Sequence, residues 1–265
     1  MDGALAPRTT ATSDDGIELV WTSDGSGDPV LLIQGQATPA AGWDPVVAEL
    51  SPAYRVIRYE QRGIGASGTG APDRFTTRAF ARDAVAVLDA AGVDAAHVVG
   101  HSMGGKIAQW LAIDAPARVR TLVLLATSAG PDVDPSVAIA KRRLVRGSAE
   151  ERESLFFAPE WTAAHREDVD RFFTIRAEPS TLARIYAASN AHDARSRLHE
   201  ISAPTLVVAG ADDRLVSAAA ARLLAESIPS AQLRIVDGAQ HGLHLAVPEV
   251  LRDIRAFQTG DHEHG

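Results

Sequence analysis

Along most of the chain, short apolar runs alternate with longer stretches whose apolar positions recur every three or four residues. The runs "GIELVW", "PVLLIQ", "YRVIRYE", "AHVVGH", "TLVLLA", "PTLVVAG" and "QLRIVD" read as strands. Several are continuously apolar rather than alternating, the pattern of parallel strands covered on both faces. "TSDGSGD", between the first two runs, reads as a hairpin turn. "TTRAFARDAVAVLDAAG" sets Phe80, Ala84, Val87, Leu88 and Ala91 on one helical stripe, with Thr76 or Thr77 as N-cap and Gly92 as the stop. "MGGKIAQWLAIDAP", "SAAAARLLAESIP" and "PEVLRDIRAFQ" are periodic in the same way. Strand and helix in alternation predict an open, mostly parallel sheet with helices on both faces.

From about Gly130 to Glu200 this rhythm breaks. No strand pattern occurs there, and short helical patterns carry Phe156, Phe157, Trp161, Phe172, Phe173 and Tyr186. Helices inserted after a central strand have the shape of a lid over a site. The expected organisation is therefore a core of residues 1–129 and 201–265 with a helical cap over 130–200. The tail "TGDHEHG" reads as a frayed polar end, His262 and His264 included, rather than as a metal site.

Composition narrows the chemistry. At 265 residues and 46% hydrophobic content the chain is ample for a large core. A net charge of -8 argues against a nucleic-acid partner. The densest basic run, "KRRLVR" at 141–146, reads as the solvated face of a helix rather than an anion site. The absence of cysteine excludes disulfides, thiolate catalysis and cysteine-bound metal. No apolar run approaches the ~20 residues of a membrane span, and "MDGALAPRTTATSDDG" lacks the pattern of a signal peptide. The expectation is a cytoplasmic protein acting on a small molecule without metal or organic cofactor, and with no nucleic-acid or membrane partner. The pattern leaves monomer and homodimer open.

The candidate chemistry begins at "VVGHSMGGKIAQWLA", residues 98–112. Here a strand pattern passes directly into a helix pattern, and Ser102 stands on the turn between Gly100 and Gly104. Small residues permit the strained backbone and the close approach of strand and helix, while the turn displays the hydroxyl at the carboxyl edge of the sheet. The N–H of Met103, at the head of the helix, points at any anion formed beside it. A serine nucleophile also needs a base and an orienting acid. "PTLVVAGADDRLVS" supplies Asp212 and Asp213 just after a strand, and "QLRIVDGAQHGLHLAVPE" supplies His241 and His244 after the next. The order serine, acid, histidine suits this architecture, in which sites assemble beyond the carboxyl ends of parallel strands.

Taken together, "LLIQGQ", "YEQRGIGASG", "GHSMGG", "GADDRLVS" and "GAQHGLHLAVPE" resemble the α/β-hydrolase superfamily, in the serine-nucleophile branch with a helical cap between the sixth and seventh strands. The resemblance covers about residues 15 to 258. It implies Ser102 as nucleophile, Asp213 as acid and His241 as base, leaving Asp212 to cap the turn or the next helix and His244 to line the pocket or face the core. It also implies an oxyanion hole made by the backbone N–H groups of Met103 and Gln36. Gln34 stands where that family usually has histidine, and Glu60 where aspartate is common. Arg62 is expected to tie its loop to neighbouring segments, and His101 to point away from the site. Phe156, Phe157, Trp161 and His244 are the candidate pocket residues.

The expected activity is hydrolysis of an ester or lactone of small to medium, largely apolar shape through an acyl-enzyme. Carbon–carbon bond hydrolysis, perhydrolysis or lyase chemistry on the same triad is the nearest alternative. A ligand-binding sensor with a vestigial triad is an alternative of a different class.

Overall fold

The computed structural model describes residues 9–132 and 134–259; the tail histidines lie outside them. Eight strands, β1 (Thr10–Thr12), β2 (Glu18–Asp24), β3 (Asp28–Ile33), β4 (Tyr54–Tyr59), β5 (Ala96–His101), β6 (Val119–Leu125), β7 (Thr205–Gly210) and β8 (Gln232–Val236), form one sheet. Their order is β1-β2-β4-β3-β5-β6-β7-β8. β1 and β2 are antiparallel to their neighbours, and every pairing from β4 to β8 is parallel.

The continuously apolar strands are the central ones. All six residues of β5 and all six of β7 are buried. Alternate side chains enter two different cores: Val98 and Leu124 pack on one face, Val99 and Val123 on the other. Helices α2 (Thr77–Ala90), α3 (Met103–Asp114) and α9 (Ala218–Ser227) cover the first face, whereas α1 (Asp44–Leu50) and α11 (Pro248–Thr259) cover the second. Thr76 caps α2 by accepting from Ala79 N–H at 3.0 Å, and Gly92, at φ 65°, ends the turn that follows.

The hairpin expected at "TSDGSGD" does not form. β2 and β3 are both neighbours of β4, which lies between them. Gly25 (φ 76°) and Gly27 (φ 108°) carry the chain tightly across the backbone of Ser51–Tyr54, where any Cβ would collide with the carbonyl oxygens of Ser51, Ala53 and Tyr54. The glycines serve a crossing over the start of β4, not a two-strand turn.

Among the described residues, five α-helices and no strand lie between β6 and β7: α4 (Ser136–Arg146), α5 (Ala149–Glu153), α6 (Pro159–Ala164), α7 (Arg166–Phe173) and α8 (Pro179–Asn190). α4 to α7 and their connections share a small core of Ala140, Leu155, Phe156, Phe157, Val169 and Phe172, joined by Leu215 from the segment after β7, whereas α8 sends Ile185 into the first core. The short α10 (Leu243–Ala246) follows β8. Among the described residues, no helix is long and apolar enough to cross a membrane.

Candidate active site

Four chain segments meet at the carboxyl ends of β3, β5, β7 and β8. Ser102 occupies the turn from β5 into α3 with φ 55° and ψ -117°, a conformation that side chains rarely adopt. The surrounding contacts hold it there. Ser102 N–H donates to the Leu125 carbonyl at 2.8 Å, and Thr127 Oγ1 donates to the Ser102 carbonyl at 2.7 Å. A Cβ on Gly100 would lie 2.5 Å from the Gly104 oxygen, and one on Gly104 would strike the Ile33 carbonyl. Helix α3 can therefore approach β3 and β5 only because both positions are glycine.

His241 stands on the loop after β8, 2% exposed, with Nε2 2.9 Å from Ser102 Oγ. Its Nδ1 lies 2.7 Å from Asp213 Oδ2. Asp213 is fixed by its other oxygen, which accepts from the N–H groups of Leu215 (2.8 Å) and Val216 (3.0 Å). A carboxylate held this way keeps imidazole Nδ1–H as donor and leaves Nε2 free to accept from the serine. Asp212 is exposed, and its backbone N–H donates to the Ala239 carbonyl at 3.0 Å. The capping role expected of Asp212 falls elsewhere: Asp213 orders the turn and Ser217 caps α9.

Gln36 lies on the loop after β3 and lines the cavity above Ser102, while Met103 begins α3 with its side chain buried in the core. Neither backbone N–H is engaged by another protein group among the described residues. Gln34, in the place of the family's histidine, is 1% exposed and its Nε2 donates to the Tyr59 carbonyl at 2.6 Å. Gln61 Nε2 donates to the Gln34 carbonyl at 2.9 Å. Two glutamines thus hold the β3 loop to the end of β4. Ala37, at φ 56°, completes that loop's sharp turn.

His101, expected to point away from the site, instead lines the cavity with Ser102; its ring packs 4.9 Å from that of His241, and its Nε2 donates to the His241 carbonyl at 2.9 Å. Burial and the neighbouring His244 and His241 rings hold its pKa well below the usual imidazole value, so it stays neutral. His244, pushed down to about 3 chiefly by burial, packs 4.1 Å from the His101 ring and 4.7 Å from Trp43.

A cavity of about 590 Å³ opens over Ser102 and His241. Phe156 lines it, 5.0 Å from the His241 ring, and so do Phe172, Phe173 and Tyr186. Three of the expected pocket residues do not. His244 is buried behind His101, in the second core. Phe157 lies directly under Gly242, where a Cβ would enter its ring, and Trp161 is stacked between Phe157 (4.5 Å) and His165 (4.3 Å). They brace the histidine loop against the inserted helices, a task that leaves no face for the cavity.

Two cavity residues escape the sequence reading. Lys106, on α3 one turn beyond Ser102, lines the cavity while only 6% exposed. Lys141, the first residue of the basic run, lines it too, whereas Arg142, Arg143 and Arg146 face solvent as expected. The available signal was a lysine inside "GGKIAQWLA", a helix apolar on nearly every face. Arg62 is fully buried and joined to Asp83 (2.8 and 2.6 Å) and Asp15 (2.8 and 3.2 Å).

A family model described as the alpha/beta hydrolase fold matches residues 28–166. A protein of Azorhizobium caulinodans, provisionally named carbamate hydrolase RutD, is 35% identical over 89% of this chain and 93% of its own length. Among solved structures, the enol-lactonase of Burkholderia xenovorans superposes with a TM-score of 0.81 at 25% identity, covering 94% of this chain and 99% of that one. A thermophilic esterase of Thermogutta terrifontis superposes with a TM-score of 0.81 at 28% identity, covering 97% and 100%. With its fold, its strand-to-helix serine and these likenesses, the chain belongs to the α/β-hydrolase family and is a hydrolase.

Proposed function

We propose that this hydrolase cleaves a carboxylic ester or lactone through Ser102, His241 and Asp213, with residues 130–200 as a cap that walls the substrate pocket. The observation that carries this reading is the unbroken hydrogen-bond chain from Ser102 Oγ through His241 to Asp213, opening onto the cavity. His241 Nε2 takes the proton as Ser102 Oγ attacks the carbonyl, and Asp213 stabilises the imidazolium. The N–H groups of Met103 and Gln36 receive the oxyanion, each donor contributing roughly 10²–10³ in rate. His241 then protonates the leaving alcohol, and water, deprotonated by the same imidazole, releases the acid from Ser102. Ester and lactone cleavage are supported by the enol-lactonase and esterase likenesses.

A carbamate is the second reading, favoured by the curated relative's name. Its carbonyl suits the same attack, but nitrogen donation makes it a poorer electrophile. The test is a panel of 4-nitrophenyl esters, γ-lactones, carbamates and a β-diketone, offered to the wild type and to Ser102→Ala. Ester or lactone turnover in the wild type that vanishes in Ser102→Ala is the expected result. Turnover of the diketone alone, or full ester activity in Ser102→Ala, would overturn it.

A further inference from the structure

Lys106 is a cation without an anion. Its Nζ donates to the Ser189 carbonyl at 2.8 Å and approaches Ser189 Oγ at 3.4 Å, and among the described residues no carboxylate pairs with it. Among the described residues, the charged groups around it make no direct contact with its Nζ. Lys141 on α4 is a second lysine lining the same cavity. Asp132, before α4, favours the charged form of both lysines from a distance but contacts neither, accepting instead from the Ser217 N–H and hydroxyl at 2.8 Å each. His192, after α8, is held neutral, and its ring bonds Thr77 and Gln109. Glu153, across the cavity wall, accepts both bonds from Arg166 at 2.9 Å. Burial and the nearby Lys141 pull Lys106 down to about 7.

A buried ammonium group usually has a carboxylate partner, because desolvation otherwise costs more than the fold returns. Here the missing partner faces a cavity that also contains the candidate nucleophile. Ser189 and Asn190, at the end of α8, add polar groups on the same wall. We infer that Lys106 and Lys141 form an anion subsite, and that the substrate carries a carboxylate alongside its scissile carbonyl. The inference rests on the hydrolase reading for the scissile end only. Lys106 lies one helical turn from Ser102, ~6 Å of rise. A half-ester with about three methylenes between its two ends is a short probe for two groups that line one cavity.

The probes are monomethyl glutarate and dimethyl glutarate, alike in size and in the ester end, and differing in one charge. Binding is measured at pH 6 by titration calorimetry on Ser102→Ala, Ser102→Ala/Lys106→Met and Ser102→Ala/Lys141→Gln; turnover is measured on the wild type, Lys106→Met and Lys141→Gln. The monoanion is expected to bind at least tenfold more tightly than the diester, as a charge-assisted hydrogen bond would give. That preference should vanish with Lys106→Met and shrink with Lys141→Gln. Equal binding of the two esters, or a preference that survives Lys106→Met, would overturn the subsite. If Lys106→Met fails to fold, the wild-type preference and its change in Lys141→Gln decide the question. Failure of the hydrolase reading is separate: it would show as unchanged turnover in Ser102→Ala, whichever ester binds better.

Discussion

Ser102 holds its φ of 55° because two glycines, a threonine hydroxyl and a neighbouring strand leave it no other place. Its chemical partner Asp213 spends one oxygen on two backbone N–H groups and presents the other to His241. Asp213→Asn keeps that shape but removes the charge and favours the wrong imidazole tautomer; ester kcat should fall by about 10⁴ with KM little changed. Steady-state kinetics checks this, and a loss below tenfold would remove Asp213 from the mechanism. Lys106 offers a prediction on stability. Its folded-state pKa, about 7, lies below the usual 10.5, so between those values the unfolded chain binds more protons and stability rises with pH. Below pH 7 its cost is fully present. Lys106→Met should therefore stabilise the protein by roughly 2–4 kcal/mol at pH 7, with an advantage that fades toward pH 10. Denaturant melts at several pH values test this; no gain at pH 7 would contradict the cost of burial. The candidate nucleophile was nameable from its strand-to-helix turn, whereas the choice of Asp213 over Asp212 and of His241 over His244 came from the family resemblance. The cavity lining was not nameable. An aromatic or a lysine in a helical pattern does not declare which face meets a void, which is why Phe157, Trp161 and His244 were expected there and Lys106 was not.

The elements repeat this lesson at larger scale. β5 and β7 announce themselves by unbroken apolar runs, and α2 by its stripe, its cap and its stop. β1, only three residues long, carries no such signal. The turn after β2 misled because Gly and Asp clusters mark tight backbone, whether that backbone joins paired strands or crosses a third. Which of these occurs depends on β4, some thirty residues away, whose parallel pairing with β3 wins the central position. The α3 helix makes the strongest demand on local sequence. A Cβ at Gly105 would lie 2.5 Å from Thr127 Cγ2, and one at Gly104 would meet β3 backbone. Gly104→Ala should displace the head of α3, abolish ester turnover and cost several kcal/mol, since backbone cannot yield as a side chain can. Gly105→Ala should cost less, because a threonine rotamer can move. Equal stability of the two variants by chemical denaturation would contradict this account of the elbow.

At the scale of the molecule, one buried cation ties distant parts together. Arg62 joins the Asp15 turn between β1 and β2 to Asp83 on α2. In the same loop, Gly65 N–H donates at 2.8 Å to the carbonyl of Arg176, on the connection between α7 and α8. Removing Arg62 strands Asp83, 1% exposed, without its counter-ion. Arg62→Met should destabilise the protein by about 3–5 kcal/mol, as loss of one partner of a buried pair does, while the folded fraction keeps its ester activity. Calorimetric melting with activity normalised to folded protein checks both halves; an unchanged melting temperature would contradict the first. The α/β layering followed from the alternation of patterns, and the run of helices between β6 and β7 from its interruption. The whole-molecule links did not, because a charge buried by three separate segments has no local signature.

The central claim is that Ser102 is a nucleophile activated by His241. Intact-mass analysis after exposure to a fluorophosphonate probe, on the wild type, Ser102→Ala and His241→Ala, tests it most directly. A single adduct on the wild type, absent from Ser102→Ala and formed far more slowly in His241→Ala, is the predicted result. No adduct on the folded wild type, or labelling that persists in Ser102→Ala, would contradict it.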